Sequence, residues 1–258
     1  MNEQIENTSQ DILLRLTDEE LTGILQLIGN YDLPSFLLDE ELDTDKLKMI
    51  INSLRARDLL FIGEDNDIRA NAALIEFIKI ASRASRFLVI KSKLGDYDIQ
   101  NWFYLSDENS ILHTNAGDGI QNFQSISTNE RFVGLIAASI GLNDDVEGPI
   151  GEAITLSKQQ YDSIRQTARQ SVSDAYKLAD GLNPETAKAL IEPTISHVVS
   201  YTQVDDANQT SSKSFAVCRV DTHFWLIEHL GNTVTISPVA PVDLINRFID
   251  LGNSVSAK

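Results

Sequence analysis

The sequence predicts an α+β protein of two quasi-symmetric halves, each an antiparallel sheet with packed helices, and a winged-helix-like N-terminal segment. Three observations predict it. One series of elements is written twice, at Arg86 to Leu142 and at Ile195 to Leu251. Within each series, apolar or alternating runs of strand length are separated by short turn compositions, which makes neighbouring strands antiparallel. Ahead of the first series, helical periodicities bracket a small hairpin pattern.

In chain order, Thr17-Asp18-Glu19-Glu20 is a capping box: the Thr17 hydroxyl can accept from the Glu20 N–H while the Glu20 carboxylate reaches back to the Thr17 N–H. Leu16 and Leu21 stand at staple positions. Leu21, Ile24, Leu25 and Ile28 follow at helical spacing, and Gly29 supplies a left-handed stop. A second helix begins near Thr44, with Leu47, Ile50, Ile51 and Leu54 on one stripe. Leu59 to Ile62, the turn Gly63-Glu64-Asp65-Asn66 and Asp67-Ile68-Arg69 form a hairpin, and a third helix opens at Asn71. Its tip carries Glu64, Asp65 and Asp67, which suits packing or protein contact and not phosphate.

The first sheet block places strands at Phe87 to Ile90, Trp102 to Leu105, Ser110 to His113 and Phe123 to Ile126, then a helix over Arg131 to Leu142. The expected boundary lies at Asn143 to Gly151, dividing the chain into residues 1–145 and 152–258. Ser157 to Gly181 reads as one long helix, and Asn183-Pro184 starts another, because proline suits the first helical position. The second block places strands at Val198 to Tyr201, Phe215 to Cys218, Phe224 to Ile227 and Thr233 to Ile236. Asp205 to Lys213 is its polar hairpin loop, Gly231-Asn232 a two-residue turn, and Val242 to Leu251 its closing helix.

Charge sets the partner class. The 21 basic and 38 acidic residues give a net charge of −17, and the first fifty residues hold twelve acidic side chains against three basic ones. Nucleic-acid affinity rests on Lys and Arg displacing counterions, so DNA, RNA and anionic membrane surfaces are not expected partners. Met1 to Gln10 is polar and acidic, unlike a secretory signal peptide, and there is no run of eighteen apolar residues. A cytoplasmic location is expected. The one cysteine, Cys218, excludes an intramolecular disulfide and reads as a small buried hydrophobe.

No catalytic, metal or cofactor constellation stands out, and a non-enzymatic protein without cofactors is expected. His223 and His229 share a strand but would lie about 20 Å apart by strand rise, too far for one metal ion. Neither His113 nor His197 has ligand spacing. Asn115-Ala116-Gly117-Asp118-Gly119 lacks the Lys-Ser/Thr ending of a phosphate loop and leads into a strand. The aromatic pairs are the other feature: Trp102, Phe103 and Tyr104 in one half and Phe224-Trp225 in the other occupy equivalent places, and adjacent residues on a strand face opposite ways.

Leu16-Thr17-Asp18-Glu19-Glu20-Leu21, running to Leu27-Ile28-Gly29, and Ser53-Leu54-Arg55-Ala56-Arg57-Asp58-Leu59-Leu60 resemble the opening of the EspG family, cytosolic chaperones of the type VII (ESX) secretion system. Family members begin with a similar Leu-Thr-x-x-Glu-Leu helix and a Leu-Arg-Ala-Arg-Gly-Leu-Leu segment; here Asp58 stands where the family favours glycine. The resemblance implies a chaperone that binds a helical substrate pair in the cytosol, shields its aggregation-prone tip and delivers it to the secretion machinery. It implies contact through the central sheet, a strand-connecting loop and the C-terminal helices. The expected contact residues are Trp102, Tyr104 and Trp225 on the strands and Asp205, Asp206 and Asn208 in the loop. Two other readings stay open. One is an immunity protein whose acidic surface complements a basic toxin. The other is a winged-helix-like regulator, whose candidate cations Lys46, Lys48, Arg55 and Arg57 are opposed by Asp43, Asp45 and Asp58.

Overall fold

The computed structural model describes residues 13–29, 33–36, 42–65, 67–94, 97–106, 109–115, 117–142, 145–205, 207 and 209–253. Contacts divide the chain into two compact units, Met1–Phe87 with Asn101–Arg131, and Leu88–Gln100 with Phe132–Lys258. This differs from a division at residues 143–151. Residues 88–100 and most of the helix expected at Arg131 to Leu142 group with the C-terminal residues.

The first unit opens with strand β1 (Leu13–Thr17) and helix α1 (Asp18–Ile28). Both halves of the capping box form, with Glu20 N–H to Thr17 Oγ1 and Thr17 N–H to Glu20 Oε2 each at 3.0 Å. Gly29 ends α1 at φ +71, but its ψ of 151 lies outside the left-handed helical well, so the stop is an extended glycine turn whose N–H returns to the Leu25 carbonyl. Helix α2 (Thr44–Ala56) is N-capped by Asp43.

The two stretches that carry the family resemblance meet at one carboxylate. Glu20 is 6% exposed and accepts from Ser53 Oγ (2.8 Å) and Arg57 Nη1 (2.8 Å) as well as from Thr17. Arg57 also bonds the Arg15 carbonyl. Burial alone would raise the Glu20 pKa, but the Thr17 N–H, the Ser53 hydroxyl and the Arg57 guanidinium outweigh it and hold the carboxyl below its usual value. A second link appears at the end of α2. Leu59 N–H bonds the Leu54 carbonyl (2.9 Å) and Asp58 N–H the Arg55 carbonyl (3.1 Å), a Schellman closure that needs a left-handed residue between them. That residue is Asp58, at φ +56. A glycine would meet this backbone requirement freely; Asp58 meets it at some strain.

The hairpin β2 (Leu60–Ile62) and β3 (Ile68–Ala70) leads to α3 (Ala72–Arg83), N-capped by Asn71. Leu74, Phe77, Ile78 and Ala81 of α3 join Leu16, Leu21, Ile24 and Leu54 in one core. Strand order in this unit is β1-β7-β6-β5, with β5 at Tyr97–Leu105, β6 at Ser110–Asn115 and β7 at Ile120–Ile126.

The second unit orders its strands β4-β9-β10-β11-β12-β8. They are β4 (Arg86–Leu94), β8 (Ile154–Ser157), β9 (Ile195–Val204), β10 (Thr210–Val220), β11 (His223–Leu230) and β12 (Thr233–Val239). Its helices are α4 (Asn129–Ser139, from Phe132 on), α5 (Lys158–Gln170), α6 (Val172–Leu178), α7 (Pro184–Ile191) and α8 (Pro241–Asn253). The long helix expected from Ser157 to Gly181 is two helices. Ser171 sits extended (φ −153, ψ 108), its N–H closing α5 on the Thr167 carbonyl and its hydroxyl capping the Asp174 N–H of α6. A hydroxyl that competes for backbone bonds favours such a break over a helix interior. The hairpin loop is also shorter than expected, because Thr210 to Lys213 pair with Tyr201 to Val204 as strand.

The parallel order of elements extends further than the two sheet blocks. β1 and β8 each end in a capping box, at Thr17 and at Ser157 with Gln160. Thr17 pairs with Ile120, the first residue of β7, and Ser157 with Thr233, the first residue of β12. The first helical N–H then donates to the residue just before that strand, Asp18 to Gly119 (3.0 Å) and Lys158 to Asn232 (2.8 Å). Each series thus runs strand, capped helix, four strands and closing helix, with α2, the β2–β3 hairpin and α3 inserted after the first helix of one and α6 and α7 after that of the other.

Candidate binding surface

In the second unit, strands β9, β10 and β11 turn one face toward α5 and α7. Where that helical cover stops, a trough of about 320 Å³ opens on the sheet. Its floor includes Ala216, Cys218 and Ile227, and its walls Tyr161, Arg165 and Pro193. Val198 projects beside them and is 49% exposed, although it stands in mid-strand. Arg165 is oriented by its Nη1 bond to the Leu190 carbonyl (2.7 Å), and the Tyr161 ring meets His229 edge-on at 5.3 Å. The result is an apolar floor with a polar rim, the composition of a protein-contact surface.

The one thiol of this trough is held by the fold. Burial pushes the Cys218 thiol up to about 12, which keeps it protonated, and its S–H points to the Ala189 carbonyl at 3.6 Å. Among the described residues there is no group of three or more His, Cys, Asp or Glu side chains that could hold a metal ion. His223 is occupied structurally, its Nδ1 donating to the Gly148 carbonyl at 2.8 Å.

The buried histidines are likewise tied into the fold. In the first unit, His113 Nδ1 meets Ser35 Oγ at 2.6 Å, its Nε2 meets Gln121 Oε1 at 2.5 Å, and Gln121 Nε2 donates to Asp18 at 2.6 Å. Tyr104 donates its hydroxyl to Ser35 at 2.5 Å, completing a chain that fastens the segment after α1 to the sheet. Burial lowers His113 to about 4, so it is neutral at ordinary pH and stacks flat on Phe123 at 4.2 Å. In the second unit His197, also lowered to about 4 by burial, meets Ser92 Oγ at 2.6 Å.

The expected contact residues separate. Tyr104 (0% exposed) and Trp225 (1%) lie wholly in the core and present no ring to a partner, which corrects the contact role expected for them. Trp225 packs among Ile164, Ala187 and Leu190, and it leaves so little room that a Cβ on Gly151 would fall 2.7 Å from its ring. Trp102 is partly buried, 5.8 Å from the Phe87 ring and 6.3 Å from Tyr104. Asp205 is exposed in the β9–β10 turn, where its carboxylate accepts from the N–H groups of Ala207 (2.9 Å) and Gln209 (2.7 Å). Asp206 and Asn208 lie outside the described residues. The trough beside Val198 was not singled out in the sequence; a valine on the outward phase of a strand was its one visible signal.

No protein-family model matches the sequence, and no curated protein does. Among solved structures, a chain from the structure of the Mycobacterium tuberculosis type VII secretion system chaperone EspG5 in complex with the PE25-PPE41 dimer aligns with a TM-score of 0.67. The fold is that of EspG5. The alignment covers 93% of this chain and 96% of that one, at 10% sequence identity. What the two share is therefore the arrangement of elements across nearly their whole lengths, carried by few identical side chains.

Proposed function

We propose that this chain is a non-enzymatic chaperone that binds helical secretion substrates of a type VII-like system in the cytosol. The observation that carries the reading is the fold shared, end to end, with a chaperone whose structure holds a protein dimer. The trough supports it, since helix recognition requires apolar anchors within a polar rim and no cofactor. In the second unit we assign contacts to Val198 and its trough and to Asp205, Asp206 and Asn208, and in the first unit, separately, to Trp102. Tyr104 supports the sheet of the first unit from within, and Trp225 that of the second.

The test is capture of partners by the tagged full chain from its native cytosol at low and moderate salt, in parallel with a Val198→Glu variant. Recovery of a small helical secretion pair by the parent chain, reduced at least tenfold by the variant, supports the reading. Recovery of a basic toxin, or of DNA without protein, overturns it in favour of immunity or regulation.

A further inference from the structure

The β2–β3 hairpin of the first unit runs out of the core as an apolar ribbon. Phe61 (48% exposed), Ile62 (46%) and Ile68 (41%) belong to its two strands of three residues each. Leu60 pairs with Ala70 and Ile62 with Ile68, and alternation along each strand puts all four on one face. That face starts in the core, where Leu60 is buried and Ala70 packs against the same cluster, and it reaches solvent at Ile62 and Ile68. Phe61 stands on the other face, opposite Arg69.

The turn beyond is built and acidic. Gly63 N–H donates to the Asp67 carbonyl at 2.8 Å, and Asp67 Oδ2 accepts from Arg69 Nε at 2.7 Å. A Cβ on Gly63 would run into that ion pair, so a glycine is what lets the turn close under it. Arg69 is engaged by Asp67, while Glu64 and Asp65 stand exposed at the tip and make no ion pair among the described residues. The undescribed residues of this unit, 1–12, 30–32, 37–41, 66, 107–108 and 116, include no Lys or Arg, so they add no cation to the tip. Arg55 and Arg57 belong to the end of α2, ahead of the base of the hairpin, and Arg57 is engaged by Glu20.

We propose that this hairpin is a docking site for a segment of a partner protein in which apolar side chains stand next to lysine or arginine. The Ile62–Ile68 face takes the apolar part, and Glu64 and Asp65 at the tip take the cations. Charge removes the other occupants. A second copy of the chain would bring a net charge of −17 and the same acidic tip against this one. Nucleic acid and anionic lipid would set phosphate against the two carboxylates. The site does not rest on the chaperone reading, whose trough lies in the second unit: capture of a secretion pair can fail while a peptide binds here, and the reverse.

The test is fluorescence anisotropy of the full chain at moderate salt with a fluorescein-labelled hexapeptide of three leucines followed by three lysines. Two hairpin variants are compared: Glu64→Lys/Asp65→Lys removes the anionic tip, and Ile62→Ser/Ile68→Ser removes the apolar face with no change of charge. A Glu152→Lys/Asp162→Lys control, changed at exposed positions of the second unit, carries the same shift in net charge as the tip variant. Circular dichroism checks the folding of each, and if the isoleucine variant fails to fold, the tip variant decides alone. Binding by the parent and the control, weakened at least tenfold in both hairpin variants, is the expected result. Undiminished binding in either folded hairpin variant, or weakening in the control equal to that in the tip variant, overturns the proposal. So does absence of peptide binding by the parent, binding of a labelled DNA duplex in its place, or self-association in sedimentation that Ile62→Ser/Ile68→Ser abolishes.

Discussion

Replacing Glu20 should damage the fold in a way that identifies its ionised form as the active one. Its carboxylate accepts from the Thr17 N–H, Ser53 Oγ and Arg57 Nη1 while being 6% exposed, and so joins the start of α1 to the end of α2. Glu20→Ala removes the return half of the capping box, worth about 1 kcal/mol. It also strands two donors that had charge-assisted bonds of about 1.5–3 kcal/mol each. Arg57 is 41% exposed and regains water, which discounts its share. The expected loss at pH 7 is about 3 kcal/mol by urea denaturation. Glu20→Gln keeps the shape and loses about 1–2 kcal/mol, the part that depends on charge. Because the folded carboxyl titrates below its ordinary 4.5, the ionised form contributes fully above that value, and the contribution fades as pH falls through the folded pKa. The gap between the parent and Glu20→Gln should therefore be full at pH 7 and shrink below pH 4.5. A Glu20→Ala loss under about 0.5 kcal/mol, or a Glu20→Gln gap that ignores pH, would refute this account of the junction.

Three further outcomes follow from the geometry. Asp58→Gly should stabilise the protein by about 0.5–1 kcal/mol in the same assay, because relief at φ +56 exceeds the added unfolded-state entropy; a loss of stability would show that the Asp58 side chain contributes more than its backbone costs. Gly151→Ala should cost about 2–3 kcal/mol, since φ +85 disfavours a side chain and the new Cβ meets Trp225 Cη2 at 2.7 Å; a Tm within a degree of the parent's would contradict it. Cys218, 1% exposed and with its thiol pushed up to about 12, should resist a thiol-reactive dye in native buffer and react once denatured; rapid native labelling would mean that the α7 cover opens readily.

Much of the local structure was legible in residues close together in the chain. Thr17 with Glu20, Asp43, Asn71 and Asn183 announce helix starts because a short polar side chain satisfies N–H groups only two or three residues ahead. The strands of both sheet blocks were legible as alternating or apolar runs between turns, and Gly231-Asn232 as the turn closing Leu230 on Thr233. Side-chain pattern also anticipated the buried Cys218 and the inward stripe of α2.

Other features depended on residues far apart in sequence. β1 and β8 escaped notice because a strand of five or four residues has too little pattern of its own and exists through its partners, β7 and β12, about a hundred and about eighty residues away. Alternation said that Trp225 and its neighbours face opposite ways, but not which face α5 and α7 would cover, so a ring with a contact role in sequence became core. Nor could spacing show that Glu20 and Arg57 share an ion pair, or that Ile62 and Ile68 reach solvent while Leu60 on the same face is buried. The sequence by itself determined most helices and the strands of the two sheet blocks, several caps and the sign of the net charge, since these depend on near neighbours and composition. The tertiary structure decided burial, edge pairing and the surfaces open to a partner, because each depends on which distant segment packs alongside.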